Sequence, residues 1–293
     1  MDSTPTARSP EADAQRRQWD LVAAGWARWW PTIEKAGASV SRKMLDLAHV
    51  GPGHRVLDIA TGYGEPAMMA AHRVGPAGRV VATDISTGML EIARGRATLS
   101  GTTNVEFRQV DAGRLEIPDG SFDAVLCRWG VTSLPDTANV LLAIRRMLAP
   151  GGSFVTAVWN DGAEGRPLAT LATALAQEMF GVPEEATSVP MCAGRAEYAM
   201  ADTLRQAGFI DVRVEQTALM LEWASAEACM HYMLDVSPDL AALFLDRPSA
   251  HRAEYGQRLV AGLLPWVGAD GKVRACNTAI LASAKRGSEN ISV

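Results

Sequence analysis

The residues of this chain best suited to chemistry around a nucleotide are Asp58, Gly62, Gly64, Glu65, Asp84 and Asp111. An apolar run, Val56-Leu57-Asp58-Ile59, leads into Ala60-Thr61-Gly62-Tyr63-Gly64, and a second run, Val80-Val81-Ala82-Thr83, closes on Asp84. A buried strand, a glycine-rich turn, a helix and a second strand ending in a carboxylate form the layout of a nucleotide-handling βαβ unit. The small residues fall at Ala60, Gly62 and Gly64, and Glu65 stands where a dinucleotide fingerprint needs its last glycine. Asp58 and Glu65 therefore set two negative charges near the helix start where a pyrophosphate would sit. That disfavours a dinucleotide and suits a ligand with a cationic end. S-adenosylmethionine has such an end, an ammonium beside a sulfonium.

Roles follow from the groups of that ligand. Gly62 and Gly64 allow close backbone approach. Asp58 attracts the amino-acid end, directly or through water. Asp84 can accept both ribose hydroxyls, since a carboxylate carries acceptors only. Asp111 with Ala112 can meet the adenine edge. In an open parallel sheet these residues converge beyond the carboxyl ends of the strands. A single Asp after a strand is commonly a helix cap, but acids ending three successive strands call for more than capping.

The elements that must position these residues are legible in outline. Residues 1–12 are rich in Ser, Thr, Pro and Ala and read as disordered. Helical patterns follow at Asp13–Trp30 and, restarted by Pro31, through Ala48. Strands are expected at 55–60, 80–83, 105–110, 122–127 and 153–159, with helices at 65–75, 86–99 and 137–148 between them. This alternation predicts an α/β fold with a parallel sheet and helices on both faces. The proposed division is a helical cap (1–50), a core (51–160), a lid insertion (161–196), a core helix and strand (197–224), a second lid insertion (225–268) and a final strand with tail (269–293).

The segments VLDIATGYGEPA, VVATDISTGMLEIAR, VEFRQVDAGRLEIPDGSFDAVLCRWG and RRMLAPGG, in this order, resemble class I S-adenosylmethionine-dependent methyltransferases. Within that class they resemble the methyltransferase type 11-like branch related to the ubiquinone/menaquinone C-methyltransferases. The resemblance spans about residues 50–160. It implies a Rossmann-like, mostly parallel sheet with an antiparallel last strand, and cofactor-binding positions at Asp58, Ala60, Gly62, Gly64, Asp84, Ile85, Met89, Asp111, Ala112 and Arg128. Ala60 departs from the commoner glycine. The Arg128-Trp129-Gly130-Val131 segment lacks the Asn/Asp-Pro-Pro-Tyr tetrapeptide of DNA and protein amino-group methyltransferases. It also lacks the carboxylates of the metal-dependent catechol type, so no metal is expected.

Net charge is −5, with 48% apolar and 21% charged residues. These values suit a globular protein and argue against a nucleic-acid-binding surface. There is no apolar run of membrane-span length and no secretory leader pattern, so a cytoplasmic enzyme acting on a small molecule is expected. The oligomeric state is open, a homodimer being one arrangement. Cys127, Cys192, Cys229 and Cys276 form no metal-ligand or disulfide pattern. Eight tryptophans and the methionines of the C-terminal insertions suit a dry pocket for an apolar or aromatic acceptor. Trp26, Trp30, Trp129, Trp159 and Met230 are the candidate lining residues, and His231 and Tyr232 the candidate proton acceptors. Carbon methylation is the first expectation, by resemblance. Oxygen or nitrogen methylation, or a cyclase that binds the cofactor without consuming it, are the alternatives.

Overall fold

The computed structural model describes residues 9–134, 136–160, 165–182 and 196–288. Seven strands form one sheet: β1 (Arg55–Ile59), β2 (Arg79–Asp84), β3 (Val105–Gln109), β4 (Phe122–Arg128), β5 (Leu148–Trp159), β6 (Ile210–Trp223) and β7 (Val273–Lys285). Their order is β3-β2-β1-β4-β5-β7-β6. The first five run parallel, and β7 lies antiparallel between β5 and β6. The winding reverses between β1 and β4, and that switch point opens a crevice at the carboxyl ends of the strands.

Helices α2 (Ala67–Val74), α3 (Thr87–Ser100), α4 (Thr137–Met147) and α6 (Ala196–Gln206) cover the sheet. Alternate residues along each strand feed opposite cores. Leu57, Val125 and Phe154 pack with Ile144 and Leu204 on one face; Val56, Leu126 and Val155 pack with Ala70 and Met44 on the other. A third cluster joins α5 (Pro167–Phe180), α7 (Ala226–Val236), α8 (Pro238–Leu243) and α9 (Ser249–Leu263) over Leu221 and Trp223 of β6. The two insertions therefore share one apolar core. Met200 lies instead in the sheet core, Met220 is exposed, and Met191 and Cys192 fall outside the described residues.

The chain's first helix differs from the sequence expectation. A single helix, α1, runs Pro10–Leu47 with Pro31 inside it. Proline removes one intrahelical hydrogen bond and ordinarily breaks a helix. Here its ring faces solvent, while Val22, Ala23 and Gly25 before it and Ile33, Val40, Met44 and Leu45 after it are buried. Packing on both sides of Pro31 outweighs the local penalty. Among the described residues, no helix is long and apolar enough to cross a membrane.

α1 packs against α3, α7, α8, β5 and β6 and so ties the sheet to the C-terminal helical cluster. Trp26 Nε1 donates to the Val236 carbonyl (3.0 Å), and Trp29 Nε1 and Arg28 Nη1 both donate to Asp235 Oδ2 (3.0 and 2.6 Å). Gly25 makes this crossing possible, because a Cβ there would stand 2.0 Å from the Asp235 carbonyl oxygen. Gly25→Val is expected to lower unfolding free energy by about 1–3 kcal/mol, through overpacking against backbone. Equilibrium denaturation measures it; an unchanged midpoint would show that the crossing is loose.

Candidate active site

A cleft lies at the switch point. Its walls include Ala60, Gly62, Asp84, Ile85, Met89, Asp111, Ala112 and Arg128, eight of the ten positions that the sequence marks for the cofactor. Asp58 and Gly64 do not line it. Gly64 lies against Ala93 of α3, and Asp58 is fully buried beneath the turn.

The turn is held from below by carboxylates. Thr61 Oγ1 donates to Asp58 Oδ2 (2.6 Å), as does the Ala67 amide (3.1 Å), so Asp58 joins the turn to the start of α2. Asp84 accepts from the Gly62 amide (2.8 Å) and from the Ser86 amide (2.9 Å). Gly62 has φ +55°, and a Cβ at that position would meet nothing within 4 Å, so the turn stays open on its ligand side. Ala60 also takes a left-handed φ of 55°, which costs an alanine about 1–2 kcal/mol. Its methyl fits because residue 130 is glycine, where a Cβ would stand 2.5 Å from the Ala60 Cβ.

Burial dominates the electrostatics. It pushes Asp58 up to about 7 against the Thr61 hydrogen bond and the Arg128 charge. It pushes Asp84 up to about 6 against the amides of Ser86, Gly62 and Ile85, with Asp20 adding to the rise. Glu65 is raised as well, first by burial, with Arg128 and Arg96 opposing. Asp58 Oδ1 and Glu65 Oε1 are buried acceptors without a hydrogen-bond partner. Arg128, also buried, spends its Nη atoms on neutral groups, Ser41 Oγ (2.8 Å) and Tyr63 Oη (2.7 Å). Of the two unfilled acceptors, Glu65 belongs to the lining of the cleft and Asp58 lies beneath the turn. Asp111 accepts from the Gly113 amide (2.9 Å) and caps a short 3₁₀ turn, while its residue still borders the cleft.

A second, larger cavity of about 440 Å³ adjoins the cleft. The two share Trp19, Trp26 and Trp129 as lining residues. Trp159, Trp223, Tyr232, Arg166 and Asp239 line the second cavity beside apolar residues of α5 and α8. Trp129 holds a φ of 61°, a strained conformation for a bulky side chain that costs about 1–3 kcal/mol. Burial pushes the Tyr232 phenol up, so it stays protonated.

Three sequence-marked residues lie elsewhere. His231 and Met230 line a surface depression between α7 and α9, because successive helical residues point about 100° apart and Tyr232 takes the inward phase. Trp30 lies under the Arg96 guanidinium, 4.1 Å from its ring centre, and borders neither cavity. Sequence reasoning also missed Gln15 and Asp20 of α1, and left Trp19 out of the candidate lining residues although it counted it among the tryptophans. Asp20 Oδ1 accepts from Ser86 Oγ (2.6 Å) and the Gly88 amide (3.2 Å), fastening α1 to the loop that carries Asp84. The seven-residue spacing of Trp19 and Trp26, two turns of one helical face, was the available signal.

Residues 56–152 match the family model of a methyltransferase domain. The ubiquinone/menaquinone biosynthesis C-methyltransferase UbiE of Pseudomonas fluorescens (strain Pf0-1) is 38% identical over 137 residues, covering 46% of this chain and 50% of that protein. Residues 56–152 thus form a methyltransferase domain. The chain spans about half the length of the curated relatives it matches. Two solved structures share the fold of the methyltransferase chain more widely. The [4+2]-cyclase SpnF is 17% identical with a TM-score of 0.58, covering 95% of this chain and 98% of its own. Phosphoethanolamine N-methyltransferase 2 of Haemonchus contortus, in complex with S-adenosyl-L-methionine, is 20% identical with a TM-score of 0.59, covering 97% and 61%.

The raised carboxylates fix the sign of the pH dependence of this methyltransferase domain. The folded state holds protons on Asp58 and Asp84 that the unfolded state has released above about pH 4. Their stabilising contribution is full below pH 4 and is lost as pH rises through about 6 to 7. Ligand-free protein is expected to be more stable at pH 5 than at pH 8, and Asp58→Asn should shrink that difference. Chemical denaturation at the two pH values checks this; equal loss in the variant would remove Asp58 from the account.

Proposed function

We propose that this protein transfers the methyl group of S-adenosylmethionine to a carbon atom of a flat, apolar aromatic molecule, in specialised or quinone-like metabolism. The observation that carries this reading is the adjoining of an acceptor-rich cleft and an aromatic cavity across shared tryptophans. The residues fit the donor. The unpartnered oxygens of Asp58 and Glu65 suit its cationic end, Asp58 acting from beneath the turn. Asp84 keeps lone pairs for the ribose hydroxyls, Met89, Ile85 and Ala112 supply apolar cover, and Asp111 stands at the adenine end. When bound, the donor supplies an electrophilic methyl group.

The chain's own work is alignment and exclusion of water. Trp19, Trp26 and Trp129 border both compartments and bring acceptor and donor together in a dry setting. With His231 on the outer surface and Tyr232 held protonated, the described lining supports an acceptor that is nucleophilic through its own electrons, as an electron-rich ring carbon is. We place the enzyme in the cytoplasm, acting on a free small molecule and independent of nucleic acid.

Asp84→Ala is expected to weaken S-adenosylmethionine binding by about 10- to 100-fold in calorimetry, the worth of a charge-assisted pair of hydrogen bonds. Unchanged affinity would sink the donor assignment. Incubation with methyl-labelled donor and candidate aromatic acceptors should place the label on carbon, read by mass spectrometry and NMR. Label on oxygen or nitrogen would move the reading to those acceptors, and an unlabelled rearranged product would favour cyclisation.

A further inference from the structure

Trp129 and Trp159 stack face to face, with ring centres 4.3 Å apart and planes 5° from parallel. The outer face of Trp129 carries the Arg128 guanidinium at 4.5 Å, and the outer face of Trp159 carries that of Arg166 at 5.4 Å. The result is a four-layer stack, Arg128–Trp129–Trp159–Arg166, with both indole pairs of faces taken. What the two rings can offer the cavity they line is their edges.

An aromatic ring is negative on its faces and positive along its edge. A pocket that presents indole faces attracts cations, which is how aromatic cages hold ammonium groups. This wall does the opposite. Its faces are spent on two guanidiniums, each of which withdraws electron density, and the Trp129 Nε1–H is buried with no acceptor. Arg166 and Asp239 are the only guanidinium and the only carboxylate lining the cavity among the described residues, and Asp239 is raised toward its neutral form, first by burial. The side of the cavity nearest the donor cleft is therefore electropositive as well as flat, since Trp129 lines both compartments.

We propose that the Arg128–Trp129–Trp159–Arg166 stack is a specificity wall, which receives the π face of an electron-rich acceptor ring edge-on and rejects cationic amines of the same size. It rests on the methyl-transfer reading for its place in the reaction, and it narrows the acceptor to phenol-, enol- or indole-like rings. The wall explains why a tryptophan is kept at a strained φ directly after β4: the left-handed turn swings the indole out of the strand and onto Trp159.

The test uses the full chain and two probes of equal ring size, 2-naphthol and the ammonium form of 2-(aminomethyl)naphthalene, titrated at pH 7.5 with tryptophan fluorescence and calorimetry as readouts. The naphthol is expected to bind about tenfold or more tightly than the ammonium. Trp159→Leu should bring that ratio close to one, and Trp159→Phe should restore most of it. A residue that merely supports the fold would weaken both probes alike and leave the ratio unchanged. Equal or tighter binding of the ammonium, no binding of either probe, or an unaltered ratio in Trp159→Leu overturns the proposal. S-adenosylhomocysteine is titrated separately on the same samples. Loss of its binding with the probe ratio intact would overturn the methyl-transfer reading and leave the wall standing.

Discussion

The structure depends on carboxylates buried around a glycine-rich turn and left short of partners. Removing a charge from water is costly unless hydrogen bonds or an opposite charge replace the lost hydration. Asp58 recovers part of that through Thr61 and Ala67, and Asp84 through the amides of Gly62 and Ser86, yet Asp58 Oδ1 and Glu65 Oε1 face no donor. Burial answers by raising all three carboxyl groups. On the reading proposed above, a cationic ligand answers these unfilled acceptors, and the free protein carries their cost.

The same constraint explains α1. A turn with unfilled acceptors and a left-handed alanine needs support, and α1 supplies it from outside the sheet. Glu34 of α1 pairs with Arg96, whose other Nη donates to the Tyr63 carbonyl within the turn. Ser41 of α1 accepts from Arg128, and Asp20 caps the loop after β2. At its other side α1 grips Asp235 and Val236 at the end of α7. One helix therefore braces the cleft, lines both compartments through Trp19 and Trp26, and holds the C-terminal helical cluster.

Much of the cleft was legible in the sequence because its parts are local. A strand end, a glycine turn and a following acid are fixed by neighbours a few residues apart, and the parallel sheet then aligns their ends. The strand pattern carried the parallel part of the sheet for the same reason, while the antiparallel last strand followed from the resemblance. What failed to read was set by long-range contacts or by helical phase. Pro31 looks like a helix boundary until the burial on both sides of it is seen. His231 and Tyr232 are adjacent in sequence, but only Tyr232 points inward. The tryptophan count announced an aromatic cavity, yet nothing local says that Trp129 stacks on Trp159 while Trp30 packs on Arg96.

The claim at the centre of this account is that a cationic donor is bound by carboxyl groups that burial has partly protonated. Calorimetric titration of S-adenosylmethionine at pH 6.5, repeated in buffers of different ionisation enthalpy, counts the protons exchanged on binding. Because the cation favours the ionised form of groups raised to about 6 and 7, a net release of protons is predicted. Binding with no proton exchange, or with uptake, would contradict it.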